Sequence, residues 1–198
     1  MEQIYLDYAA TTPVDSRVLD AMLPYFRESF GNPSSVHRYG QRAEAAVEES
    51  RETVAEALNC SPDEVIFTSC GSESDNLALR GATQAMYEKS GREWILTSQA
   101  EHHAVTKTAE QLAEHYRYPL EWLDVDEHGM VTPETVEQAL CDNTAIVSAM
   151  YANNEIGTIN PIQEIAEICH QHGALFHTDA VQAAGYLTVD VNELGADM

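Results

Sequence analysis

The feature that most constrains this sequence is a repeated switch of hydrophobic period. Short runs rich in β-branched and aromatic residues are "EVIFTS" (64–69), "EWILTS" (93–98), "LEWLDV" (120–125), "TAIVSAMY" (144–151) and "ALFHTD" (174–179). Between them lie segments of helical period at 72–90, 103–116, 133–141 and 161–172. Strand-length runs that stay apolar belong to strands buried on both faces. Linked in succession by helices, they predict an α/β fold, a mostly parallel sheet with helices on both faces. Ahead of them, residues 15–29 read as a helix with Val18, Leu19, Met22 and Phe26 at helical spacing. "FGNPSS" breaks that pattern, Ser34 or Ser35 is placed to cap the next helix, and 38–58 is that helix, long, charged and amphipathic.

In open parallel sheets, ligands gather beyond the carboxyl ends of the strands. The first such position here is "CGSESDN" (70–76). Gly71 lets the backbone turn, and Ser72 offers a hydroxyl beside the unpaired N–H groups of a helix start, which together suit a phosphate. The same residues also describe a plain serine cap with Asp75 complementing the helix dipole. Neither G-x-x-x-x-G-K-[ST] nor G-x-G-x-x-G occurs, so nucleoside triphosphates and dinucleotides are not indicated. The next positions are "QAEHHAV" (99–105), with His102 and His103, and "ANNEIGTINP" (152–161), with Asn154. Asp179 then ends the last strand, with Gln182 three residues on. A carboxylate at that depth is costly unless a cation meets it. A phosphate cradle, an imidazole, two amides and an acid at one sheet edge suit a planar, phosphorylated, nitrogen-containing ring. Pyridoxal 5'-phosphate is such a group, and its ring nitrogen is the cation Asp179 would meet.

Composition narrows the alternatives. Thirty-three acidic residues against ten basic ones give a net charge of -23, which excludes binding to a phosphate backbone. No apolar run approaches the roughly 18 residues of a membrane span. The start, "MEQIYLDYAA", has none of the basic character of a signal peptide. Cys60, Cys70, Cys141 and Cys169 form no C-x-x-C pair, so reduced thiols in a cytoplasmic protein are expected. A metal alternative exists in "CHQHG" (169–173) with "HTD" (177–179), which supplies Cys169, His170, His172, His177 and Asp179. Neighbours one or two apart near a helix end point in different directions, and two ligands on a strand fall short of a tetrahedral site, so no metal site is expected.

In order along the chain, "YLDYAATTP", "FGNPSSVHRYG", "SESDN", "EHHAV", "NNEIG" and "HTDAVQAAG" resemble the cysteine desulfurases of the class V aminotransferase superfamily. The resemblance spans almost the whole chain, and "NNEIG" followed by "HTDAVQ" is its most specific part. It implies the large domain of a type I pyridoxal-phosphate-dependent transferase. The implied reaction takes sulfur from L-cysteine, leaving L-alanine and an enzyme persulfide for iron–sulfur cluster or thio-cofactor assembly. A selenocysteine lyase or another class V enzyme fits the same motifs. By this resemblance Gly71 and Ser72 bind phosphate, and His102, the catalytic histidine, stacks on the ring. Asn154 contacts the ring, Asp179 pairs with the ring nitrogen, and Gln182 meets the ring oxygen. A homodimer and a sulfur-acceptor or scaffold partner are implied in the same way. Residues 1–14 would form an N-terminal segment near the active-site entrance, and 15–198 an incomplete large domain.

Two departures stand out. Family members often read S-G-[AG]-T-E-S where this chain reads "SCGSES"; Ser72 keeps the hydroxyl, while nothing in the sequence explains Cys70. The family's Schiff-base lysine, its sulfur-accepting cysteine and its substrate-binding arginine belong to a region beyond the segment matching "VNELGADM". Neither Lys89 nor Lys107 matches that lysine. The expectation is a truncated chain, with one half of a split enzyme or a non-catalytic scaffold as the alternatives.

Overall fold

A computed structural model describes residues 3–198. The chain forms two compact units, residues 1–66 and 67–198. In the first, α1 (Ser16–Arg27) is capped by Asp15, whose carboxylate accepts from the Arg17 N–H at 2.8 Å. Val18, Leu19, Met22 and Phe26 share the expected spacing, yet all four are exposed and α1 buries no residue. The second helix, α2 (Arg38–Leu58), is capped by His37 and not by Ser34 or Ser35: His37 Nδ1 accepts from the Gly40 N–H at 3.3 Å. The glycines of "FGNPSSVHRYG" answer to crowding here. A Cβ on Gly31 would lie 2.0 Å from the Tyr39 carbonyl oxygen, and one on Gly40 2.0 Å from that of Ser35.

The second unit holds α3 (Gly71–Ser90), β1 (Trp94–Ser98), α4 (His103–Tyr116), β2 (Leu120–Leu123), α5 (Pro133–Ala139), β3 (Thr144–Ser148), α6 (Ile162–Gln171), β4 (Leu175–His177) and α7 (Val191–Leu194). The four strands form one all-parallel sheet in the order β2-β1-β3-β4. The expected strand at 64–69 does not form. Residues 62–64 make one turn of 3-10 helix, and the stretch after it joins no β-ladder among the described residues, with Ile66 and Phe67 exposed and the Val65 carbonyl accepting from Arg51. β-propensity alone cannot make a strand, because a ladder needs a neighbouring strand and none pairs with this stretch among the described residues. The small-residue run after Asp179 forms turns.

The register sorts side chains into rows. Ile95, Ile146 and Leu175 are mutual partners, as are Leu96, Val147 and Phe176 one residue on. Because strand side chains alternate between faces, the two rows point in opposite directions. Ile95 and Ile146 pack with Leu79 and Ala82 of α3 and Val105, Ala109 and Leu112 of α4. Leu96, Val147 and Phe176 pack with Val136 of α5 and Ile162, Ile165 and Cys169 of α6. The third row, Thr97, Ser148 and His177, is polar, buried, and on the same face as Ile95. At the opposite end of the sheet, Arg92 donates to the carbonyls of Thr144 (3.2 Å) and His172 (2.7 Å), joining the starts of β3 and β4.

Phe176 is fully buried at the centre of the α5/α6 core. Phe176→Ala leaves a cavity there and is expected to cost about 3–5 kcal/mol of unfolding free energy, read by urea titration. A loss of under about 1 kcal/mol would contradict this packing.

Candidate functional site

The path of the chain opens a crevice at one place on the sheet. β1 is followed by α4 on one face, and its neighbour β3 by α6 on the other, so the loops leaving them diverge. A cavity of about 280 Å³ lies there, its walls including Glu101, His102, His103, Asn153 and Asn154. The loop after β3 is braced across the crevice. Asn153 Nδ2 donates to the Ala100 carbonyl at 2.9 Å, and its Oδ1 accepts from the N–H groups of Glu155 (2.8 Å) and Ile156 (3.0 Å). Asn153 lines the cavity with its amide engaged in these bonds, and the half-buried Asn154 lines it beside Asn153.

His102 is exposed and caps α4, its Nδ1 accepting from the Ala104 N–H at 3.2 Å. That bond fixes the ring and leaves Nε2 as the nitrogen able to carry a proton. Asp179 is buried just past β4, with Oδ1 accepting from the Val181 N–H at 2.9 Å. Asp75, His102 and Asp179 each place one donor atom within 4.8 Å of the others. Gly71 lies against Val181: a Cβ on it would come 3.1 Å from Val181 Cγ2. The start of α3 is therefore beside the turn that carries Asp179. Ser72 is exposed on the first turn of α3, and Gln182 is half-buried three residues beyond Asp179.

The electrostatics are unusual for so acidic a chain. Asp75 and Glu101 are buried, as is Asp179, and no lysine or arginine pairs with any of them among the described residues. Burial, then the nearby Asp179 charge, pushes the Asp75 carboxyl up to about 7. Burial pushes Glu101 up to about 8, opposed by its bond from the Met150 N–H and reinforced by Asp179 and Asp75. That bond, to Glu101 Oε1, is 2.6 Å; Oε2 has no partner among the described residues. His177 is held neutral by burial, which brings it down to about 4. Its Nδ1 meets Ser148 Oγ at 2.9 Å, and its Nε2 lies 3.6 Å from Asp75 Oδ1.

The start of α3 has no side-chain cap from its own N-cap residue, Cys70. Glu73 reaches back instead, its Oε2 accepting from the Ser69 N–H and hydroxyl, both at 2.6 Å. The exposed Cys70 thiol is drawn below its ordinary value by the Glu73 N–H and then the Ser69 hydroxyl. The residues named for the metal alternative are not brought together as one set, although Asp179 shares its 4.8 Å cluster with Asp75 and His102. Cys169 is buried in the apolar core with its thiol pushed up to about 12, and His170 pairs with Asp197 at 2.9 Å. His172 is tied to the Ile168 carbonyl.

Asp75, Glu101 and Ser148 were not singled out as site residues by sequence, and His177 was named only in the metal alternative. Asp75 resembled a dipole-complementing acid on a solvated helix turn. Glu101 lay next to the more conspicuous histidine pair. A single signal was available: Ser148 and His177 are polar residues at the ends of apolar strands.

The buried acids make stability depend on pH. Their folded pKa values lie above the unfolded ones, so the native state holds extra protons and loses stability as pH rises through the folded values. Between pH 6.5 and 8 the unfolding free energy should fall, by about 1.4 kcal/mol per pH unit for each acid still titrating. Below 6.5, protonation of His177 in the unfolded chain offsets part of the gain. Thermal midpoints across pH 6–8.5 test this, and Asp75→Asn with Glu101→Gln should flatten the profile. An unchanged slope in the double variant would remove both acids from the account.

The aminotransferase class-V family matches residues 4–198. The chain is 46% identical over 196 residues to the cysteine desulfurase IscS of Dictyoglomus turgidum, covering 99% of this chain and 49% of that protein. It is 48% identical over 198 residues to the putative cysteine desulfurase IscS 1 of Bacillus subtilis, covering 100% and 52%. A solved NifS-like protein superposes with a TM-score of 0.93 at 38% identity, covering 99% of this chain and 53% of that one. SspA in complex with cysteine gives 0.90 at 36%, covering 98% and 55%. The chain thus spans about half the length of the relatives it matches. By the extent of these matches and the sheet they share, the chain belongs to the aminotransferase class-V family.

Proposed function

We propose that this chain is the cofactor-cradling part of a cysteine desulfurase, which removes sulfur from L-cysteine to leave L-alanine and an enzyme persulfide. The observation that carries the reading is a buried carboxylate, Asp179, without a lysine or arginine partner among the described residues, beside His102 at the crevice that Asn154 lines and near the start of α3. Relatives named as cysteine desulfurases and a structural neighbour in complex with cysteine support the substrate. A homodimer and a sulfur-acceptor or scaffold partner rest on the resemblance, and a cytoplasmic location rests on the cysteine pattern.

The residues fit pyridoxal phosphate. The first turn of α3, with Gly71 and the Ser72 hydroxyl, suits its phosphate. Asp179 suits a protonated ring nitrogen, because a nearby carboxylate favours the charged form. His102 suits the ring face, and Asn154 and Gln182 its oxygen side. Bound there, the cofactor supplies a conjugated electron sink for the bond changes at the substrate. The chain's own part is to orient that group and keep a proton at its nitrogen through Asp179. His102 Nε2 is then available to hold or move a proton, since Nδ1 is engaged with the α4 backbone.

No lysine of this chain reaches the crevice walls. Lys89 is in the last turn of α3, and Lys107 pairs with Glu110 at 2.7 Å on α4. The covalent anchor is assigned to a lysine outside these 198 residues. Borohydride reduction of the 198-residue chain with pyridoxal phosphate should therefore give no stoichiometric adduct on either lysine, by peptide mass mapping. An adduct there, with sulfide released from cysteine, would overturn the assignment.

In the enzyme completed with its lysine-bearing part, Asp179→Asn should abolish most turnover, and Asp179→Glu should be less harmful because the charge remains. Near-normal turnover of the Asn variant would sink the role given to Asp179. Ser72→Ala removes one hydroxyl donor to the phosphate, a charge-assisted bond worth roughly 1.5–3 kcal/mol. Cofactor affinity should fall about tenfold to a hundredfold by equilibrium dialysis. An unaltered dissociation constant would leave Ser72 as an ordinary first-turn residue.

A further inference from the structure

We propose that Asp75 is a positioning residue for Asp179, a second buried carboxyl that gives up its proton when a cation binds at Asp179 and reports the change to His177. The proposal rests on the reading of Asp179 as the partner of a protonated ring nitrogen. Its geometry does not depend on that reading.

Asp75 projects from the second turn of α3 and is 4% exposed, so it is not a solvated dipole partner. One of its oxygens lies within 4.8 Å of an Asp179 oxygen and of a His102 nitrogen. Its Oδ1 faces His177 Nε2 at 3.6 Å, and the far side of that imidazole meets Ser148 Oγ at 2.9 Å. The titratable groups around it are Glu101 and His102 from the loop after β1, His177 from β4, and Asp179 beyond β4. None is a lysine or arginine. Two carboxylates this close, both out of water, cannot both ionise cheaply. In the absence of a cation and below pH 7, Asp75 keeps its proton beside Asp179, whose Oδ1 accepts the Val181 N–H.

His177 cannot absorb a released proton, because burial holds the ring neutral. It can change which nitrogen carries its single proton. With Asp75 protonated, the acid O–H donates toward Nε2 and Nδ1–H donates to Ser148 Oγ. With Asp75 ionised, Nε2–H faces the carboxylate and the Ser148 hydroxyl donates to Nδ1. The second state holds one proton fewer, and that proton goes to solvent. A cation arriving at Asp179 favours the second state because it offsets the second negative charge. Binding and proton release are then linked.

The experiment has two arms. In the cofactor-free chain labelled with 15N-histidine, His177 nitrogens, assigned by their loss in His177→Gln, should show a step near pH 7. The shifts should be those of a neutral ring exchanging tautomers, and the step should vanish in Asp75→Asn. A step that persists in Asp75→Asn, or flat His177 shifts from pH 6 to 8, overturns the proposal. In the lysine-bearing enzyme, pyridoxal phosphate affinity should rise with pH below 7 more steeply in the parent than in Asp75→Asn. The difference should approach tenfold per pH unit, the limit for one linked proton. Identical slopes with the NMR step present would remove the link to Asp179 and so overturn the proposal. Loss of all cofactor binding in the parent would instead count against the proposed function, with the tautomer step still standing.

Discussion

The parallel register of β1, β3 and β4 is the constraint on which the rest of the second unit depends. It stacks Ile95, Ile146 and Leu175 toward α3 and α4, and Leu96, Val147 and Phe176 toward α5 and α6. A slip of one residue in any strand would send its apolar side chain to the wrong core. The same register brings Thr97, Ser148 and His177 into a buried polar row, one step before the carboxyl edge. The site is thus built directly onto the end of the hydrophobic core, with no flexible segment between them.

That arrangement explains how buried acids are tolerated in a chain of net charge -23. Most of its acids remain in water, where self-repulsion is screened and costs little. Asp75, Glu101 and Asp179 are different because the sheet edge and α3 remove them from water. Their charge is relieved in part by protonation of Asp75 and Glu101 and in part by backbone N–H donors from Met150 and Val181. A site kept short of positive charge has a standing electrostatic preference for a cationic group. This is the physical content of the pyridoxal-phosphate reading.

The first unit obeys a different logic. Its motif "FGNPSSVHRYG" is a local structure, with two glycines placed where backbone approaches backbone and a histidine capping α2. Its helix α1 has the spacing of an amphipathic helix, yet its apolar residues are exposed. The stretch after residue 64 is comparable, with strand propensity but no β-ladder among the described residues. In both places the local code is satisfied and the tertiary partner is what the described residues do not contain.

Sequence by itself determined the alternation of strands and helices, because the change between helical and strand-like apolar runs is a property of neighbouring residues. It also singled out His102, Asn154, Asp179 and Gln182, since post-strand positions in a parallel sheet fall on one edge whatever the strand order, and Gly71 and Ser72 as a helix start behind an expected strand that does not form. Only the tertiary structure decided that the strands order as β2-β1-β3-β4 and that the crevice lies between the loops after β1 and β3. It alone gave Asn153 its bracing bonds within a cavity that both Asn153 and Asn154 line, because two adjacent amides are indistinguishable until their partners are known. It alone brought Asp75 from α3 against His177 and Asp179, about a hundred residues later in the chain. Such contacts are non-local: they arise from packing a helix over a strand end, and no periodicity within either segment encodes them.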